Sequence, residues 1–197
     1  MPTETPFRIA LLAICCLVAL TGGWFRLRAR TGEPISHREE GLVLTIIIRL
    51  LGLCLWITTI AYLLNATWIQ WVSLPLPRWL RWCGVVCGTV CLGFLWWTLI
   101  NLGKNLTDTV VTRSNAVLVT TGPYRWIRHP FYVAVFFLTL AIALMAANWL
   151  IGLIGLSFVA VVAIRVKKEE QKLIEKFGDQ YRKYMAATGR FLPKIGL

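Results

Sequence analysis

Charge is scarce in this chain. Only 15% of its 197 residues are charged, against roughly 25% in soluble globular proteins, while 57% are apolar and the mean hydropathy is +0.66. That balance excludes an ordinary water-soluble globule and points to a membrane protein. Histidine is rarer still, with two in all, and no cysteine stands in a C-x-x-C pair or beside a histidine at ligand spacing. Neither a zinc or other metal site nor a disulfide framework is expected. The six cysteines, Cys15, Cys16, Cys54, Cys83, Cys87 and Cys91, lie inside apolar runs and read as small buried hydrophobes. No strand followed by G-x-G-x-x-G occurs, which removes the soluble dinucleotide-binding architecture. The formal charge is +12, but the basic residues flank apolar segments and form no stripe on a compact soluble fold, so nucleic acid is not an expected partner.

What the chain does have is apolar length. A membrane-crossing helix needs about 20 apolar residues, and runs of that order cover 7–25, 42–64, 81–100, 131–148 and 149–166. The last two are continuous and too long for one span, so a tight hairpin is predicted at Asn148, with Trp149 at the interface. The first run is too long for a signal-peptide core, its positive charges follow it, and no A-x-A-like site comes after, so it reads as a retained span. The fold class expected is an all-α bundle of about five transmembrane spans, with an amphipathic C-terminal helix on the cytoplasmic surface. Lys and Arg gather on one side: Arg26, Arg28, Arg30 and Arg38 in the first connection, Lys104, Arg113, Arg125 and Arg128 in the third, and nine more from Arg165 onward. The other side has Arg8, Arg78 and Arg81. The positive-inside rule then puts the N-terminus outside and the C-terminus in the cytoplasm.

Within this frame several features need explanation. Gly84 and Gly88, four apart, suit close helix packing in lipid. Arg49 lies deep in the second span, where an ionisable group needs either a structural partner or a watery substrate path. The stretch "GPYRWIRHPFY", from Gly122 to Tyr132, packs two arginines, a histidine and four aromatics in front of an oily run. Its Gly-Pro signals a turn and Pro130 suits a helix start, so Tyr124, Arg128, His129 and Tyr132 are drawn together at the membrane edge. A plain belt of aromatics and basic anchors explains the composition but not the particular residues. Arg165 and Glu169 stand four apart on one helix face where the fifth run leaves the bilayer. Such a pair offers a forked cation for an anion beside a carboxylate for ammonium or hydroxyl groups; a snorkelling arginine with a solvated carboxylate is the plainer alternative. Beyond Val166, Leu173, Ile174, Phe177, Tyr181 and Tyr184 recur at helical spacing amid charge, with a break at Gly178 and Asp179 as a candidate cap. Surface attachment to lipid or a lid over a site would each account for this helix.

"LVTTGPYRWIRHPFY" followed, after one helical hairpin, by "RVKKEEQKLIEKFGDQYRKYM" resembles the C-terminal half of the isoprenylcysteine carboxyl methyltransferase family, with phospholipid N-methyltransferases as more distant relatives. The likeness covers about 101–195 and rests on R-H-P-x-Y, E-E-x-x-L and F-G-x-x-Y at their mutual separation. It divides the chain into N-terminal spans, 1–100, and a cofactor-binding and catalytic region, 101–197. It implies an integral membrane methyltransferase using S-adenosylmethionine on a lipophilic or lipidated acceptor, such as the carboxylate of a prenylated cysteine. Val117, Leu118, Val119 and Tyr124 would wrap the adenosyl part; His129, Pro130 and Tyr132 would continue that wall. Glu169 would hold a polar cofactor group and Arg165 would face the acceptor, these two being the catalytic pair. Where eukaryotic members have His and Thr before Leu-Val, this chain has Ala116 and Val117, which leaves backbone contacts there; Asn105 and Thr107 are further candidates for cofactor contact. Two other readings stay open: an NADPH-dependent sterol-type reductase, which carries a similar arginine-histidine stretch, and a small transport or sensor protein whose Arg49 and Arg165 line a path. The proline after His129 and the short chain argue against the first, the lack of an internal repeat against the second.

Overall fold

The computed structural model describes residues 4–29, 42–103 and 117–194. Arg30, Arg38, Lys104, Asn105, Thr107, Arg113 and Ala116, on which parts of the sequence reading rest, lie outside them. Helices account for most of the described chain: α1 (Thr5–Ala29), α2 (Leu42–Leu64), α3 (Arg78–Leu102), α4 (Pro130–Ala146), α5 (Trp149–Phe177) and α6 (Asp179–Ala187), with 3₁₀ segments at Ala66–Val72 and Gly122–Arg125. Four helices, α1, α2, α3 and α5, are long and apolar enough to cross a membrane. The protein is a multi-pass integral membrane protein. The fourth expected span is shorter than the others, since α4 has 17 residues, about 25 Å of helix against a hydrocarbon core of about 30 Å.

The hairpin forms where expected. Ala147 takes a left-handed conformation (φ 47°) to end α4, and the Asn148 side chain accepts a hydrogen bond from Ile151 N at 3.0 Å to start α5, the usual service of an N-cap asparagine. Leu74 N donates to Ala147 O at 2.6 Å, tying the preceding connection to this turn.

Beyond the hairpin the structure departs from expectation. The chain does not leave the bilayer and begin a separate surface helix at Val166: α5 continues unbroken for 29 residues to Phe177, because Lys, Glu, Gln and Leu are good helix formers and nothing before Gly178 stops them. The change in hydropathy is thus a change of solvent along one helix, with the apolar span ending near Val166 and a polar extension beyond. Gly178 (φ 54°) does make the break. Asp179 is not the cap; Gly178 is, with no side-chain hydrogen bond, and Asp179 sits in the first turn of α6.

Packing explains the glycines. A Cβ on Gly84 would stand 2.9 Å from Leu144 Cβ and 3.1 Å from Ala141 O, and one on Gly88 2.9 Å from Ile14 Cδ1. Bare backbone there lets α3 lie against α4 and α1, as small residues do in lipid. The cysteine reading needs correction: Cys15 and Cys91 are buried, but Cys16, Cys54 and Cys83 are exposed on the helix surfaces and Cys87 is half-buried, because apolar thiols are as comfortable against lipid as in a core. Exposed tryptophans sit near both ends, Trp68, Trp71, Trp79 and Trp149 at one and Trp24, Trp97 and Trp126 at the other, matching two aromatic belts.

One end is closed by Arg81. It forks onto Glu4 with two contacts of 2.7 Å, reaches Met145 O from Nε at 3.1 Å and Nη2 at 2.7 Å, and donates to Tyr62 Oη at 2.9 Å. By sequence it counts among the few basic residues of this side; in the fold it is only 7% exposed. These contacts gather the start of α1, the end of α2, the start of α3 and the end of α4. The start of α4 and the end of α5 therefore meet at the opposite end of the bundle.

Candidate functional site

At that opposite end the Gly-Pro turn is fixed first. Gly122 has φ 59°, and a Cβ on it would fall 2.4 Å from the Asn101 carboxamide, so only glycine fits both the conformation and the approach. Asn101 holds the end of α3 by donating from Nδ2 to Trp97 O at 2.9 Å and accepts from Thr121 Oγ1 at 3.2 Å. Pro130 then starts α4, where its missing N–H costs nothing.

The tail folds back alongside. Gly189 N donates to Trp126 O at 3.2 Å, Arg128 N to Gly189 O at 2.9 Å and His129 N to Arg190 O at 3.1 Å. Tyr184 Oη donates to Tyr124 O at 2.6 Å. Arg128 donates from Nε to Glu170 Oε1 at 2.9 Å and from Nη1 to the carbonyls of Met185 (3.1 Å) and Thr188. Arg190 also pairs with Glu170, and His129 Nε2 lies 3.4 Å from its Oε1. Glu170, one turn past the apolar part of α5, is thus almost sealed at 3% exposure. Burial opposes its charge, but hydrogen bonds with His129, Arg190 and Arg128 prevail and hold its carboxyl down at about 2.

Adjacent helical residues point about 100° apart, so Glu169 faces elsewhere. It accepts from Tyr132 Oη at 2.7 Å, and its Oε1 is 4.0 Å from His129 Nδ1. The His129 and Tyr132 rings stack at 5.6 Å. Glu169 opens onto a cavity of about 700 Å³, within the range of small-molecule and cofactor sites. Its walls include Val117, Leu118, Val119, Tyr124, His129, Tyr132, Arg165 and Glu169. Pro130 is fully buried beneath the site and is not part of the lining. Arg49 is exposed and borders the same cavity, with Arg26 of α1. Val18, Ala19, Ile48, Trp56, Cys91 and Leu95 give the cavity an apolar side from α1, α2 and α3. Burial keeps the Tyr124 phenol well above its ordinary range and pushes Tyr184 up to about 12, so both remain neutral donors.

The sequence reading missed Glu170, Arg190 and the inward roles of Tyr181 and Tyr184, both of which line the cavity. A glutamate doublet on one helix was the available signal: its members cannot share a face, so one had to be structural.

Fold and site together define a helical membrane protein with a cavity at one end of the bundle, polar toward its C-terminal half and apolar toward its first three helices. The family model of the isoprenylcysteine carboxyl methyltransferase (ICMT) family matches residues 83–175. The chain is 31% identical over 140 residues to a protein-S-isoprenylcysteine O-methyltransferase of Rattus norvegicus, covering 66% of this chain and 48% of that one. The counterpart from Dictyostelium discoideum is 29% identical over 137 residues, covering 65% and 56%. A cobalt-zinc-cadmium resistance protein, CzcN, of Cupriavidus metallidurans is 31% identical over 128 residues, covering 64% and 53%. The solved structure of the eukaryotic intramembrane Ras methyltransferase ICMT superposes with a TM-score of 0.56 at 25% identity, covering 82% of this chain and 55% of that one. The chain spans about half the length of the curated relatives it matches.

Proposed function

We propose that this protein is a membrane methyltransferase that moves a methyl group from S-adenosylmethionine to a lipophilic acceptor, a carboxylate such as that of a prenylated cysteine. The observation that carries this reading is the meeting of two sequence-distant clusters, Tyr124–Tyr132 and Arg165–Glu169, on one cavity of about 700 Å³. The names of the relatives, protein-S-isoprenylcysteine O-methyltransferases, support the acceptor class. The donor fits the residues present: a carboxylate at Glu169, a neutral phenol at Tyr124, and an apolar strip at Val117, Leu118 and Val119 suit a molecule with an ammonium, ribose hydroxyls and a flat base.

When bound, S-adenosylmethionine supplies an electrophilic methyl on a positively charged sulfur, so the protein's own task is alignment more than acid or base catalysis. Tyr124, His129 and Tyr132 form the wall against which the donor lies, and Tyr132 holds Glu169 by its 2.7 Å hydrogen bond so that the carboxylate stays turned toward the cavity. Arg165, four residues before Glu169 on α5, orients an acceptor carboxylate by its forked donors. The apolar side from α1, α2 and α3 takes the acceptor's hydrocarbon and excludes water. Transfer of the methyl would break its bond to the sulfonium and turn an anion and a cation into a neutral ester and a neutral thioether, so a dry cavity would favour the transition state. In this reading residues 101–197 bind the donor, while 1–100 contribute the acceptor wall. The basic connections support a cytoplasmic position for the site and an external N-terminus.

Melting of the detergent-purified protein tests the choice. S-adenosylmethionine and S-adenosylhomocysteine are expected to raise Tm, since a ligand bound only by the folded state stabilises it by mass action. A rise with NADPH alone would contradict the proposal in favour of a reductase.

A further inference from the structure

Arg49 has no role in the account so far, yet it stands where a charge is costly. It lies seven residues into α2, about 10 Å along a membrane-crossing helix, and an ionisable side chain at such a depth needs a partner or a watery space. It is exposed, and no hydrogen bond or ion pair joins it to a described residue. Its neighbours on α2 show which way that part of the helix faces. Thr45, Ile48, Arg49 and Trp56 all border the cavity, and their spacing places them on one stripe. The exposed apolar residues Val43, Ile46, Leu50, Leu53 and Ile57 repeat on another face.

A second arginine reaches the same level from the next helix. α2 runs toward the Arg81 end and α5 away from it, and the two pack together: a Cβ on Gly52 would stand 3.6 Å from Phe158 Cε2. From that crossing Arg49 lies three residues toward the site, about 4.5 Å, and Arg165 seven residues, about 10.5 Å. Their backbone levels therefore differ by about 6 Å, a gap that two long side chains close. Glu169, a turn beyond Arg165, is about 12 Å above Arg49 and accepts from Tyr132. It is the only carboxylate among the described residues bordering the cavity, and it is out of Arg49's reach.

Two guanidinium groups at one level with no carboxylate between them suit an anion that arrives with a ligand. The donor does not supply it. Its carboxylate and ammonium share one carbon, so an ammonium held at Glu169 keeps both far from Arg49. What lies around Arg49 is hydrocarbon, with Ile48, Trp56, Leu95 and Phe158 on the same cavity wall, so the anion belongs to a lipophilic molecule.

We propose that Arg49 is the second half of an acceptor clamp: with Arg165 it grips the carboxylate of the lipophilic acceptor, and it makes the site prefer an acid to an uncharged compound with the same hydrocarbon. This rests on the methyltransferase reading and adds to it a charged contact from the N-terminal spans, a specificity-determining residue on α2.

The test uses the whole protein in detergent saturated with S-adenosylhomocysteine, and compares N-acetyl-S-farnesylcysteine with its carboxamide by titration calorimetry. The wild-type protein is expected to prefer the acid. Arg49→Met removes the charge and keeps much of the length; it is expected to bind the acid about 10-fold more weakly, as for loss of a hydrogen bond between charged groups, with the affinities for the carboxamide and for S-adenosylhomocysteine unchanged. Its melting temperature without ligand is expected at or above that of the wild type, since a charge leaves a span. Arg49→Lys, which keeps the charge and loses the fork, is expected to fall between the two. Equal weakening toward acid and carboxamide, weakening toward neither, weaker S-adenosylhomocysteine binding, or a lower melting temperature in Arg49→Met would each overturn the proposal. A wild-type protein that binds S-adenosylhomocysteine without preferring the acid overturns the clamp alone; one that does not bind S-adenosylhomocysteine overturns the methyltransferase reading itself.

Discussion

The bundle has an arginine clasp near each end, and the two are used differently. Arg81 spends its donors on Glu4, Tyr62 and Met145 O, lies 4.0 Å over the Phe7 ring, and does not border the large cavity. Arg128 spends Nε and Nη1 on Glu170 and the carbonyls of Met185 and Thr188, and it borders the cavity as well. Beside Arg128 are Glu169 and Arg165, which face the same cavity. Complete satisfaction inside the protein marks a clasp; polar groups turned to a space mark a place for another molecule. The second end contains both, and the clasp holds the binding groups still.

Breaking each clasp gives the largest contrast. Arg81→Ala leaves Glu4 and Met145 O without their charged partner and Arg128→Ala leaves Glu170 short of one, each costing about 3–5 kcal/mol as for a severed buried pair. Both are expected to lower Tm. Arg81→Ala retains the affinity for S-adenosylhomocysteine measured at a temperature where it is folded, whereas Arg128→Ala loses it, because the tail carrying Tyr181 and Tyr184 comes away. Equal loss of affinity in both would erase the distinction between the two ends.

Smaller and sharper effects belong to the cavity face. Glu169→Ala is expected to weaken S-adenosylhomocysteine at least 10-fold, about 1.4 kcal/mol, with little change in Tm, since a partly exposed carboxylate with one hydrogen bond contributes little to the fold. Arg165→Ala is expected to keep donor affinity and lose turnover on a prenylcysteine acceptor. Titration calorimetry and a methyl-transfer assay separate the two, and normal binding and turnover in both variants would contradict the roles assigned to them.

Much of this end could be read from residues alone. Apolar runs located α1, α2 and α3, the asparagine hairpin was legible because capping is local, and the R-H-P-x-Y and E-E-x-x-L elements pointed to a shared site. The other end was not legible. Glu4 sits in a short polar lead and Arg81 at the edge of a span, and their pairing across 77 positions leaves no local trace. The separate jobs of Glu169 and Glu170 depend on burial, which neighbouring identical residues cannot express. The continuity of α5 past Val166 was hidden because hydropathy reports the solvent around a helix and not the helix itself.

The most direct measurement is a structure of the protein with S-adenosylhomocysteine bound. The base and ribose are expected against Tyr124 and Val117–Val119, with the amino-acid end reaching Glu169 in the same cavity. A ligand seated elsewhere, or touching the Tyr124 side without approaching Glu169, would contradict it.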